Sequence, residues 1–241
     1  MCTVTYIKHN NQYFFTSNRD ENINRQSALH PQKKAVGDYH LYYPVDPQGS
    51  GTWFCVKNNG TVCILLNGAH KKHISNGAYR KSRGLVLMEL IMKKHMRSGW
   101  EELNLENIEP FTIIAFSNGL LNQFRWDGIE KENVELNPDE AHIWSSATLY
   151  SDDFIVERKR LFKAFLKDNN LYLDDNKIMS FHAASKKENA EKEFDKSESD
   201  NGIIITKNIT QCVLTEIEFT LSHLDLITAQ KTIVKNEIVV A

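Results

Sequence analysis

No stretch of this chain approaches the ~18–20 consecutive apolar residues that a membrane-spanning helix requires, so such a helix is excluded. A basic stretch followed by an apolar core is missing from the N-terminus, and no secretory signal is expected. Excess charge of one sign is also missing. The formal net charge is −2 and the isoelectric point about 6.5, which removes the basic field that nucleic acid or an anionic membrane surface would demand. Cysteine is scarce. Cys2, Cys55, Cys63 and Cys212 show neither CxxC spacing nor the framework of a small disulfide-rich domain. The last three lie in apolar, strand-like segments and read as buried small hydrophobes of a reducing, cytoplasmic compartment. There is no GxGxxG fingerprint, no haem-attachment motif and no phosphate-cradling glycine loop. The HxxH of His70 and His73 lacks the glutamate of zincin spacing, so no metal or cofactor is assigned. What remains is ordinary globular usage, 41% apolar and 25% charged over 241 residues, read as one domain spanning residues 1–241.

The most informative residue present is Cys2. Once the initiator methionine is removed, its α-amine (pKa roughly 7.7–8.0) stands within reach of its own thiol (roughly 8.5). At neutral pH that amine can serve as a general base for the sulfur without a separate histidine. Val4 and Tyr6 alternate with Thr3, Thr5 and Ile7, His9 to Gln12 supply turn residues, and Tyr13 to Thr16 read as the returning strand. The hairpin carries Asn18-Arg19-Asp20-Glu21-Asn22 back to the level of Cys2, where they read as a polar turn-out aimed at the chain terminus. A guanidinium there favours thiolate, and a carboxylate can hold the amine.

Further along, Gln26 to Ser50 is rich in turn residues and reads as a long ordered loop near a pocket. Trp53–Val56 and Thr61–Leu66 form a hairpin about Asn58-Asn59-Gly60. The run from Ser82 through Leu85, Leu87, Met88, Ile91 and Met92 has helical period, with Lys93, Lys94 and His95 suiting its end. Phe111–Phe116 and Leu120–Trp126 pair across Asn118-Gly119, and a helix starts at Asp152-Asp153. Lys186–Asp200 reads as a charged mobile loop, and Ile203–Ile205, Cys212–Phe219 and Ile233–Val240 as closing strands. His95, His182 and His223 read as core or cap histidines, and Trp100, Trp126 and Trp144 as packing residues, with Trp53 and Trp144 also able to wall a pocket. These patterns alone give a mixed α+β protein.

Met1-Cys2-Thr3 followed by Asn18-Arg19-Asp20-Glu21 resembles the NRDE family, which includes the transport and Golgi organisation 2 proteins and is related to cysteine-type N-terminal-nucleophile (Ntn) hydrolases such as penicillin V acylase and bile salt hydrolase. Arg25, Gly51-Thr52-Trp53, Val56 through Asn67, Ser82-Arg83-Gly84 and His142 through Ser146 extend the resemblance over residues 1–166. It implies a four-layer αββα sandwich of two antiparallel sheets flanked by helices. It also implies Cys2 as nucleophile, Arg19 beside it, Asp20 (or Glu21 or Asn22, the register being open) engaging the α-amine, and Asn67 donating to the oxyanion. Asn18, Glu21, Trp53, Trp144 and Ser145 are the remaining candidates for contact with substrate.

Two departures stand out. Ser145-Ser146 occupies a place where the acylases keep an asparagine, and only lysines (Lys186, Lys187, Lys207) occur where they keep a late arginine. A lysine does not replace the planar fork of arginine. The resemblance, with Cys2 and Arg19 in place, implies hydrolysis of a linear, non-peptide C–N amide in a small molecule. The alternative is a non-catalytic binding or trafficking protein that handles a lipid- or haem-like ligand on the same fold.

Overall fold

Strand β1 (Thr3–His9) turns at Asn10 and Asn11, both with positive φ (49° and 59°), into β2 (Gln12–Asn22). Asparagine tolerates the left-handed region, which is what a two-residue hairpin turn needs. The computed structural model describes residues 3–75, 77–191 and 203–239, with the side chains of residues 185–191 outside that description. The first correction falls on β2. Asn18, Arg19, Asp20 and Glu21 are not a turn-out but the continuation of this strand, all but Glu21 buried.

A second hairpin replaces the loop expected over Gln26–Ser50: β3 (Leu29–Val36) pairs with β4 (Tyr39–Val45). β3 is an exposed edge, so its lysines face water and hide the strand period. β5 (Phe54–Lys57) and β6 (Val62–Asn67) follow as read from the sequence. α1 (Arg83–Ile91) starts at Ser82, whose hydroxyl accepts the Leu85 N–H. It ends before Lys93, and a short α2 (Met96–Glu102) buries Trp100. β7 (Phe111–Ser117), β8 (Leu120–Trp126) and β9 (Lys131–Leu136) continue the meander, and β10 (His142–Ser145) leaves it.

Next come α3 (Asp152–Asn169), capped by Ser151, and α4 (Asp175–Glu191). Helix α4 takes in residues 186–191 of the expected loop, and residues 192–200 lie outside the described ones. The chain closes with β11 (Ile204–Leu214), β12 (Glu218–Asp225) and β13 (Lys231–Glu237), so the expected strand Cys212–Phe219 spans the turn between two strands.

The strands form two antiparallel sheets. One has the order β10-β1-β2-β11-β12-β13, the other β3-β4-β5-β6-β7-β8-β9. β1 shows how the layers arise. Val4 and Tyr6 point inward to the core shared by the sheets, where Tyr6 meets Phe15 and Phe116. Ile7 points outward to Phe14, Phe162 and Ile178 beneath α3 and α4. On the far side, Val86, Leu87, Leu90 and Ile91 of α1 seal the second sheet. Strand period two thus splits β1 between two apolar cores, and helices lie on the outer sides of both sheets. The fold is the αββα sandwich. Cys55, Cys63 and Cys212 are all buried and unpaired, and burial pushes their thiols up, the raised pKa marking them as structural.

Candidate functional site

At the open ends of β2, β5 and β6 lies a cleft of about 430 Å³. Its lining includes Arg19, Glu21, Arg25, Asp46, Trp53 and Asn67, joined by the start of α1 at Ser82-Arg83-Gly84 and by Glu109. Thr3, the first described residue, pairs with Asn18 on one side and Ser145 on the other. Cys2 lies outside the described residues.

Arg19 is 2% exposed, and its guanidinium stacks 5.2 Å above the Trp53 ring. It stands 3.7 Å from carboxylate oxygens of both Glu21 and Asp46. Arg25 closes the same square at 2.8 Å from Asp46 and 3.4 Å from Glu21. Its position is set by a bulge. In β11, Lys207 is an extra residue between Thr206, which pairs with Asp20, and Asn208, which pairs with Arg19. The Lys207 ammonium donates to the carbonyls of Ile23 and Arg25, fixing the turn that carries Arg25. Burial, with Arg19 nearby, lowers the Lys207 pKa.

Asp20 and Asn18 occupy the opposite face of β2. The Asp20 carboxylate accepts hydrogen bonds of 2.5 Å from the hydroxyls of both Tyr150 and Thr206. Asn18 donates to the His182 carbonyl and meets the His182 ring at 2.6 Å, while the other ring nitrogen meets Thr5. Burial, reinforced by Arg158, pulls His182 down to about 3, so it is neutral at physiological pH. Arg158 in turn donates to Thr3 Oγ1. None of Asn18, Asp20, Trp144 and Ser145 lines the cleft. Trp144 donates to Gln123 and stacks on His142, whereas Ser145 contributes the backbone beside Thr3.

Asn67 ends β6 at the cleft. Its backbone is held in place. Ser146 donates to the Asn67 carbonyl at 2.8 Å, and the Gly68 N–H bonds to Pro110 at 3.0 Å. Gly68 has φ +81°, and a Cβ there would stand 2.8 Å from Thr148 Cγ2.

Sequence reasoning did not assign Asp46, Arg83 or Glu109 to the site, although Arg83 sits in the Ser-Arg-Gly motif. That motif has a physical explanation. A Cβ on Gly84 would fall 2.8 Å from the Thr52 backbone, and one on Gly51 would fall 2.6 Å from Gly84. Only glycine at both positions lets α1 press its N-terminus into the cleft wall. Of the late lysines, Lys207 braces the Arg25 turn, and the side chains of Lys186 and Lys187 lie outside the described residues. No cluster of three or more potential metal ligands occurs among the described residues, and no helix there is long and apolar enough to cross a membrane.

Two solved structures of conjugated bile acid hydrolase from Clostridium perfringens share this architecture. One is an arginine-to-leucine variant, with 10% identity, coverage of 100% of this chain and 98% of that chain, and a TM-score of 0.58. The other is a cysteine-to-alanine mutant, with 11% identity, coverage of 98% and 96%, and a TM-score of 0.56. An N-acylethanolamine-hydrolyzing acid amidase ortholog from Caenorhabditis elegans has 13% identity, coverage of 87% and 92%, and a TM-score of 0.49. At such identities the first two speak to the fold alone, which is that of the Ntn hydrolases. No curated protein matches by sequence. The family profile described as "Transport and Golgi organisation 2", however, matches residues 1–224, a span that contains the hairpin, the Arg19 strand and the whole cleft. The chain therefore belongs to the Transport and Golgi organisation 2 family.

Proposed function

We propose that the protein is an Ntn amidohydrolase acting on a linear, non-peptide C–N amide, with Cys2 as nucleophile after Met1 is removed. The observation that carries this reading is a convergence. Thr3, one peptide bond from Cys2, pairs beside Asn18-Arg19, and the buried Arg19 lines one cleft with Asn67. The α-amine of Cys2 takes the thiol proton, and the thiolate attacks the amide carbonyl. Arg19 favours the thiolate through its charge, and the Asn67 amide donates to the oxyanion that forms. The tetrahedral intermediate collapses, the C–N bond breaks, and the leaving amine takes the proton from the α-ammonium. Water, deprotonated by the same α-amine, then hydrolyses the thioester and releases a carboxylic acid. Asp20, held by Tyr150 and Thr206, orients the α-amine.

Residues 1–241 act as one unit in this reading, since one sheet is built from strands at both ends of the chain. A reducing, cytoplasmic compartment goes with it, because the thiol must stay free. The binding-only alternative draws support from Ser146, whose hydroxyl is committed to the Asn67 carbonyl and adds no second amide donor. Against it, the charged lining does not suit an apolar lipid chain.

The test is intact mass of the purified chain, stoichiometric iodoacetamide labelling at neutral pH, and turnover of a panel of N-acyl amides. Loss of Met1, one fast-reacting thiol and turnover abolished in Cys2→Ala are expected. Full turnover in Cys2→Ala would end the proposal, and a retained Met1 with an inert Cys2 would favour the binder. Asn67→Ala is expected to lower kcat by about 10²–10³.

A further inference from the structure

The cleft is charged yet balanced. Arg19 and Arg25 face Glu21 and Asp46, and Arg83 stands 3.0 Å from Glu109, so guanidiniums and carboxylates match along its wall. The remaining cation of the lining, Lys81, bonds Glu89 outside it. Among the described lining residues no charge of either sign is left over for an ion. An anion beside Arg25 meets Glu21 and Asp46 as well, and a cation beside those carboxylates meets Arg25. Neither contact offsets the cost of taking an ion out of water.

Accessible apolar surface is scarce too. Of the described lining residues, Trp53 and Leu65 are apolar, and they are only 2% and 3% exposed. Tyr79 is half-buried and ends in a hydroxyl. A hydrocarbon chain here would strip water from paired charges and give them no hydrogen bond in exchange.

The ion pairs leave hydrogen-bonding capacity unused. A guanidinium carries more N–H donors, and a carboxylate more acceptor sites, than one ion pair consumes. Arg25 donates to Asp46 through Nη2, and Arg83 turns Nη2 to Glu109 and Nη1 to the Pro110 carbonyl. The side chains of Glu21, Arg25, Asp46, Arg83 and Glu109 all line the cleft and are between 18% and 30% exposed, so a ligand can reach them. A hydroxyl both donates and accepts. Neighbouring hydroxyls can therefore bond the cation and the carboxylate of a pair without separating them, and bonds to charged groups are the strong ones.

We propose that the cleft takes a neutral, hydroxyl-rich moiety, a polyol or sugar carried by the amide substrate. This rests on the hydrolase reading only for the amide that joins the moiety to the rest of the molecule.

Calorimetric binding of matched probes to the full chain carrying Cys2→Ala tests it. All share an N-ethyl amide on an acyl chain of the same length: N-ethyl-D-gluconamide, the apolar N-ethylhexanamide, the anionic mono-N-ethylamide of adipic acid, and the cationic N-ethylamide of ε-aminocaproic acid. The gluconamide should bind about tenfold more tightly than each of the others, the discrimination of one hydrogen bond to a charged group, and added salt should leave its affinity unchanged. In Glu109→Gln, Arg83 loses its carboxylate, and the anionic probe should gain about tenfold while the cationic one gains nothing. Should that variant fail to fold, Arg83→Gln gives the mirror test, with the gain on the cationic probe. Hexanamide or either ionic probe binding as tightly as the gluconamide overturns the proposal, and so does failure of every probe to bind. A charge substitution that leaves the ionic probes unmoved overturns it as well. Turnover of the hexanamide in preference to the gluconamide by the unmodified chain would leave the hydrolase reading standing and end this one. Gluconamide-selective binding without turnover of any amide would do the reverse.

Discussion

The two faces of β2 carry the same four-residue motif and do opposite things with it. Arg19 and Glu21 point to the cleft, where they join Arg25 and Asp46 in an ionic square with distances of 2.8 to 3.7 Å. Asn18 and Asp20 point to the helices, where neutral partners hold them: His182, Tyr150 and Thr206. Sequence neighbours in a strand are therefore not neighbours in function. One face sets paired charge along the cleft wall, and the other ties the strand to the helices and to β11 through neutral partners.

The largest effect is expected from breaking the cleft face. Arg19→Leu leaves Glu21 and Asp46 with one guanidinium instead of two and should cost on the order of 3 kcal/mol in urea unfolding. Arg19→Lys should recover part of that stability but not the stacking on Trp53. A cost below about 1 kcal/mol for Arg19→Leu would show that the square contributes little.

Acid comes next and addresses both sides of the sheet. His182 lies on the helix side, and His223, packed near Trp53, lies on the cleft side. Burial first, then Arg158 for the one and His30 for the other, pulls them down to about 3 and about 4. Unfolded, both titrate near 6.5. Below that pH the unfolded chain binds more protons, so stability falls as pH drops from about 6.5 towards the folded values. Each histidine contributes up to ~1.4 kcal/mol per pH unit. Thermal melts from pH 7 to pH 5 should show a steep loss, and His182→Gln should halve its slope while lowering stability at pH 7.

A smaller effect should follow from loosening the helix side. Tyr150→Phe removes one of two hydroxyl donors to Asp20 and should cost about 1 kcal/mol. If Asp20 orients the reacting amine, the same change should shift the pH profile of Cys2 alkylation. An unchanged profile with reduced stability would confine Asp20 to a structural role. The smallest effect is expected far from either face: Lys8→Ala breaks an exposed pair with Asp139 and should stay within ~0.5 kcal/mol.

The legibility of the chain followed local strength of pattern. The first hairpin, the β5–β6 and β7–β8 hairpins and the starts of α1 and α3 were visible because alternation, turn residues and, for the helices, Ser82 and Asp152-Asp153 mark them. Strand β3 was not, since its exposed residues follow no period, and neither was β10, which is only four residues long. Helix α2 was hidden by brevity and by Gly99, where a Cβ would fall 2.4 Å from Lys93. Arg19, Trp53 and Asn67 could be named as candidates and Arg83 lay in a quoted motif, but Asp46 and Glu109 carry no local signal. Asp46 and Glu109 reach the cleft from separate loops, and Arg83 from the start of α1.

By itself the sequence determined the alternation of β1 and β2, the burial of three cysteines and the membership of a family that its first 21 residues already suggest. Those are properties of neighbours along the chain, governed by side-chain period and turn chemistry. Only the tertiary structure decided that Asp20 meets Thr206, 186 positions away, that Lys207 bulges to brace Arg25, and that two glycines let a helix end reach the cleft. Period two says that Arg19 and Asp20 part company. Which of them faces charge and which faces helices depends on what the rest of the chain packs against each side.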